Sequence, residues 1–293
     1  MPSQTQDRLI EQRQRAIQKI ELLPSIPIIL QKIIATSSDP NSSAQDLERI
    51  IIRDQSISAA ILKLANSAFY GYSRTVDDVG RAIVIIGFKT AFSIAISVSV
   101  LRTLVHAVEG DEFNFVEFWK HTIAAGEAGR LFAQEVEYDS LHRAYIISLL
   151  HDIGKVVLSF IDSRNFDDSI FEARVMKKPL SVCEEHFFGF DHQTAGGWLA
   201  ERWHLPESII VAIRYHHNLE QCPEHLIRDA LIGHTANYIV KTVHIGASGE
   251  MIEPVLHPLV KTTFKILPDT FDRITTKLEN QREGIDAFLE AIL

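Results

Sequence analysis

Apolar and polar positions follow a helical period along nearly the whole of this 293-residue chain. Ile57, Ile61, Leu64 and Ala68 recur at the spacing that lines one face of a helix. Start signals stand before several such stretches. Ser42-x-x-Gln45 makes a capping-box pattern ahead of LERIIIRD, and Thr75-x-x-Asp78 is a weaker one ahead of residues 81–86. Asn114 predicts a helix from Phe115 to about Val136, and Asp139 or Ser140 begins one that ends near His151. Pro206 and Pro223 each sit where a first helical turn is expected. Strand-like alternation is rare: AISVSVL (95–101) only continues a longer helical pattern, and no Asn-Gly or Asp-Gly hairpin signal occurs. The fold predicted is all-α.

Punctuation divides the chain. Residues 1–22 read as an amphipathic leader helix. Residues 23–110 form a first helical lobe that ends at the polar turn Glu109-Gly110-Asp111. Residues 111–245 form a second lobe, packed on the first. Gly246-Ala-Ser-Gly249 reads as a loop or linker, and residues 246–293 as an extension that prolines break into short helices. The run AIVIIGFKTAFSIAISVSVL (82–101) is about long enough to span a bilayer. Lys89 lies inside it, Gly87 divides it and three serines follow, so a pair of core helices around Gly87 is expected instead.

Charge narrows the function. A net charge of −9 with scattered lysines and arginines argues against nucleic acid as the partner, because phosphate contacts need clustered cations. Two cysteines, Cys183 and Cys222, give neither a disulfide framework nor a C-x-x-C metal site, which fits a reducing cytoplasm. The polar N-terminus MPSQTQDRLIEQRQ has no secretory h-region. Neither G-x-S-x-G nor a P-loop is present, and Glu184 and Glu185 beside Cys183 work against an activated thiolate.

The chemistry concentrates in the second lobe. An apolar run ends in His151-Asp152, followed by Gly154 and Lys155. An adjacent imidazole and carboxylate can share a metal ion, and a lysine one turn later suits a phosphate. On a regular helix the two side chains diverge by about 100°, so they converge only if the helix ends there, which Gly154 permits. Glu117 and His121 are four apart and share a helix face. His192 follows Asp191 at an expected helix start. His216 and His217 diverge, which leaves room for only one of them to point inward. The other histidines, among them His106, His142, His186, His204, His225, His244 and His257, read as ordinary solvated or hydrogen-bonded side chains.

Three separated blocks then carry a resemblance. RDQS (53–56) leads into ILKLANSAFYG (61–71) and RAIVIIGFK (81–89). Next comes LLHDIGKVVL (149–158), and then EEHFFGFDHQTAGGWLAERWHLPESIIVAIRYHH (184–217). In this order they resemble the HDOD family, the HD-related output domain of bacterial signalling proteins. That family lies within the HD superfamily of metal-dependent phosphohydrolases, and the resemblance covers about residues 20–240. It implies that His121, His151 and Asp152 match the first metal ligands of the superfamily. His192, His216 and His217 match further ligands, and Glu117 matches an extra one. The superfamily's last ligand is an aspartate on a late helix. Asn237 stands at the matching position, a neutral and weaker donor, with His234 three residues earlier as a candidate to compensate. The implied metal is iron, manganese, nickel or zinc.

Two functions follow from the resemblance. One is a cytoplasmic regulatory module that acts through signalling partners or a bound phosphate-containing ligand, with a partial metal site. The other is a phosphohydrolase in which Asp152 holds or orients a metal-bound water and Lys155 faces the phosphate. The Gly-Tyr-Pro extension of the cyclic-di-GMP-cleaving HD relatives is absent after His217, where the chain reads NLEQCPEHLIRD. That activity is therefore not transferred. A third reading needs no metal: the histidines and Asp152 form a polar network that holds the helices in register.

Overall fold

A computed structural model describes residues 16–23, 25–38, 44–70, 75–104 and 112–292. Ser42 of the predicted capping box, the Glu109–Asp111 boundary and most of the leader helix lie outside the described residues. Among the described residues every regular element is helical.

The first lobe comprises α1 (residues 16–20), α2 (Ile28–Ser38), α3 (Ala44–Ile51), α4 (Gln55–Ala65), α5 (Val79–Ile86) and α6 (Phe88–Leu104). Asp54 caps α4 by accepting from the backbone N–H groups of Ser56 and Ile57. Asp78 caps α5 by accepting from Arg81 N–H, so the cap is Asp78 rather than Thr75. At Gly87, with φ +84°, the chain turns by 112° between α5 and α6. This bend makes the apolar run two core helices. α6 is buried along most of its length, against α2, α4 and α5.

The second lobe comprises α7 (Phe115–Glu135), α8 (Leu141–Leu150), α9 (Gly154–Ile161), α10 (Ser163–Met176), α11 (Leu180–Phe188), α12 (His192–Arg202), α13 (Glu207–Tyr215) and α14 (Ile227–Thr242). Asn114 caps α7, Ser140 caps α8 and Asp191 caps α12, each through a side-chain oxygen. α8 is the centre of the lobe and lies against α7, α13 and α14. The stretch Leu141–Ile161 is long and apolar enough to cross a membrane, and 94% of its most apolar window is buried inside the protein.

The ends of the chain tie the lobes together. Lys19 donates to Ile161 O at the end of α9, and Arg202 donates to Leu23 O at 2.9 Å. The Gly246–Gly249 segment is a packed loop, since Ala247 N–H donates to Glu117 O in α7 at 3.0 Å. Beyond it, α15 (Pro258–Thr263), α16 (Thr270–Asn280) and α17 (Arg282–Ile292) wrap back over both lobes. α16 lies on α7, while α17 lies on α4, α6 and α7. Arg273 is paired with Glu135 at 2.7 Å and Lys120 with Asp286 at 2.5 Å.

Candidate metal centre

α8 stops at Leu150, a tight turn carries His151 and Asp152, and α9 starts at Gly154. Gly154 has another role than ending a helix. A Cβ there would stand 1.8 Å from His192 O and 2.7 Å from Gly196 N. Its missing side chain lets the start of α12 lie directly on α9, and this contact brings His192 to Asp152. Gly196 is the matching close approach from α12.

Asp152 is fully buried and is the hub. Its Oδ1 lies 3.4 Å from His192 Nε2 and 3.5 Å from His216 Nε2. Its Oδ2 lies 3.4 Å from His151 Nε2, 3.9 Å from His121 Nε2 and 2.6 Å from Lys155 Nζ. Donor atoms of Asp152, His192, His216 and His217 lie within 4.8 Å of one another, and so do those of His121, His151 and Asp152. One carboxylate therefore joins two groups. Both His216 and His217 belong to the first, so the expectation that only one points inward is corrected. α13 ends at Tyr215, and the adjacent residues leave the regular helix that would have separated them.

The tautomers follow from the neighbours. His151 Nδ1 lies 2.7 Å from Ser148 O and His216 Nδ1 lies 2.8 Å from Ile213 O. His192 Nδ1 lies 2.5 Å from Glu184 Oε2. Carbonyls and carboxylates only accept, so each Nδ1 carries the hydrogen and each Nε2 presents a lone pair. Nε2 of His121, His151, His192 and His216, together with Asp152 Oδ1, are buried with no hydrogen-bond partner. Bare acceptors gathered around one carboxylate repel one another and are costly to bury. A cation among them removes that cost. The donor set fits a transition metal, because imidazole and carboxylate together suit such ions better than calcium.

Protonation favours the same occupant. Burial, reinforced by neighbouring His151, pushes His121 down to about 3. Burial takes His216 down to about 4 and His217 well below the usual imidazole range. Burial opposes a charge on Asp152, yet His151 and Lys155 hold its carboxylate ionised well below the ordinary range. His192 moves the other way: burial disfavours its proton, but the Glu184 carboxylate outweighs that. Neutral His121, His216 and His217 around an ionised Asp152 are in the state in which ligands bind a metal, while a metal on His192 would displace the proton that Glu184 favours there.

Two expected residues stand apart. Glu117 lies on α7 one turn before His121, and its carboxylate belongs to neither group. Asn237 is 7% exposed on α14, and its Oδ1 is buried without a partner. It shares a helix face with Gly233, which passes beside His151 and His216, and with Lys241. His234 does not compensate for the missing aspartate. Its Nδ1 donates to His216 O at 2.9 Å and its Nε2 accepts from His257 N–H at 3.0 Å. A cavity of about 300 Å³ lies over this end of the centre, and His217, Asn237, Lys241 and Glu250 are among its walls. Lys155 is a buried partner of Asp152.

Glu184, Gln193 and Lys241 also belong to the surroundings of the centre, and little in the sequence points to them. In the sequence Glu184 stands out only as a neighbour of Cys183, whose thiol burial does push up. Gln193 accepts the backbone N–H of His217 at 2.9 Å and fixes the turn after α13. Lys241 carried one signal, its four-residue spacing from Asn237.

Comparison with known proteins agrees with this architecture. A model of the HDOD domain matches residues 23–219. The chain belongs to the HDOD family. Its relatives include an uncharacterized protein of Treponema pallidum (strain Nichols), 26% identical over 211 residues that make up 70% of this chain. This chain spans about 40% of that relative's length. The crystal structure of an HDOD domain protein of unknown function from Geobacter sulfurreducens has a TM-score of 0.78 at 22% identity, covering 97% of this chain and 99% of that one. A protein from Marinobacter aquaeolei VT8, provisionally assigned to signal transduction, has a TM-score of 0.79 at 20% identity, covering 97% and 66%. A protein from Shewanella amazonensis SB2B, provisionally assigned as a phosphohydrolase, has a TM-score of 0.69 at 18% identity, covering 95% and 98%. At these identities the likeness concerns the fold.

Proposed function

We propose that this HDOD protein is a regulatory module that acts through signalling partners in the cytoplasm and carries a divalent transition metal without turning over phosphate esters. Iron, manganese, nickel or zinc would be held by His192, His216, His217 and Asp152, with His121 and His151 on the other oxygen of Asp152. A metal in a hydrolase lowers the pKa of bound water and clamps phosphate oxygens. The observation that carries the regulatory reading is the electrostatics of the second group. Asp152 Oδ2 is already engaged by Lys155 at 2.6 Å, and the only further candidate ligand on α14 is the neutral Asn237. Two imidazoles and a carboxylate shared with an ammonium make a weak second metal site, so the two-metal clamp is not supported.

The hydrolase reading has one observation in its favour, the cavity beside the centre, where Lys241 offers a phosphate one cation although Glu250 and Glu253 also line the wall. Turnover decides between them. The purified protein, loaded separately with manganese, iron, nickel and zinc, is assayed against p-nitrophenyl phosphate, bis-p-nitrophenyl phosphate and cyclic dinucleotides. The regulatory reading expects no turnover that depends on His151. Robust hydrolysis abolished by His151→Ala would make the protein an enzyme.

A further inference from the structure

A second cavity, of about 600 Å³, lies where the first lobe, the second lobe and the C-terminal helices meet. Its volume falls in the range of small-molecule sites, and junctions of this kind are where such sites occur. Leu64 and Ile86 from the first lobe and Phe288 from α17 give it apolar walls. Its polar groups differ in how they are satisfied. Arg130 Nε donates to Glu127 Oε2 at 2.8 Å, so this ion pair is complete within itself. The Tyr145 hydroxyl lies 3.1 Å from Ser97 Oγ. Two groups are left over. Gln281 Oε1 is buried with no hydrogen-bond partner. Lys89 is exposed at the cavity, and its ammonium has no carboxylate within ion-pair distance among the described residues. With Glu127 and Arg130 cancelling, the lining carries one positive charge.

We propose that this cavity is a binding site for a small organic anion with an apolar body and one N–H or O–H donor. The anionic group pairs with Lys89, the donor satisfies Gln281 Oε1 once that enclosed amide turns toward the cavity, and the body lies against Leu64, Ile86 and Phe288. An acceptor buried without a partner is costly, and a ligand donor removes that cost while water is kept out. The site is separate from the metal centre but shares two helices with it. Ile123 and Tyr145 line the cavity, on the helix that carries His121 and on the helix that leads into His151. A ligand that braces α7 and α8 thus bears on the elements that place the metal ligands.

The probe is 8-anilinonaphthalene-1-sulfonate, which has a fused aromatic body, one N–H and one sulfonate. It is titrated into the full folded chain at neutral pH and followed by fluorescence and calorimetry. The proposal expects one saturable site per chain. Lys89→Gln and Gln281→Leu should each weaken binding, by roughly tenfold for the charged contact; the first should leave the melting temperature of the unliganded protein unchanged and the second should not lower it. Ser93→Phe, which fills the cavity, should abolish binding. If that variant fails to fold, the other two decide the matter, because Lys89 is exposed and Gln281 is at the helix junction. Absence of binding, several weak sites, or a single site unaffected by both Lys89→Gln and Gln281→Leu would overturn the proposal.

Discussion

Asp152 is the residue on which the centre turns. It is a buried carboxylate whose charge is balanced in part by Lys155, three positions on and 2.6 Å away. Removing one member of a buried ion pair leaves the other uncompensated, at a cost of about 3–5 kcal/mol. Lys155→Met, stripped of metal by a chelator, should therefore lose about that much stability in urea unfolding. Adding zinc or manganese should restore much of it, because a cation on the imidazole cluster neutralises Asp152 again. A metal-free variant as stable as the parent would show that the ammonium is not what balances the carboxylate. At this scale much of the site was legible. The His-Asp pair and the widely spaced histidines stand out as residue types that cannot be buried without partners. Glu184 was not legible. A glutamate eight positions before a histidine carries no periodic signal, and only the fold brings it to within 2.5 Å of His192 Nδ1.

At the scale of elements, the crossing of α9 and α12 decides whether the ligands meet. The pattern of caps located these helices well, because Asn114, Ser140 and Asp191 each satisfy a backbone N–H that the helix leaves open. Gly154 was legible as punctuation but not as a contact, since the neighbour it admits is His192 O from far along the chain. Gly154→Ala should force that carbonyl away. Overpacking of this kind costs about 1–3 kcal/mol, more where backbone must move. The shift displaces His192, so metal affinity should fall along with the melting temperature. Unchanged metal affinity in a destabilised Gly154→Ala protein would separate the crossing from the site.

The whole molecule is held together by the tail that the sequence pattern set apart as an extension. Prolines broke its period, so its burial could not be read in advance. Ile274, Leu278, Ile285, Phe288 and Leu289 are all buried against the lobes. Burial of each such side chain is worth about 1.5–3 kcal/mol, and together they rival the stability of an ordinary domain. A chain truncated after Phe264 should therefore fail to give a cooperative thermal transition. A well-folded truncated protein would show that the tail is dispensable. The central claim concerns the intact molecule, and its most direct test is metal content. The 293-residue chain and its Asp152→Ala variant are dialysed against metal-free buffer and their metal-to-protein ratios measured by elemental analysis, with anomalous scattering to locate the ion. The account predicts about one tightly held transition metal beside His192 and His216, and its loss in Asp152→Ala. Stoichiometric metal retained by that variant, or no metal bound by the intact protein even after incubation with iron, manganese, nickel and zinc, would contradict it.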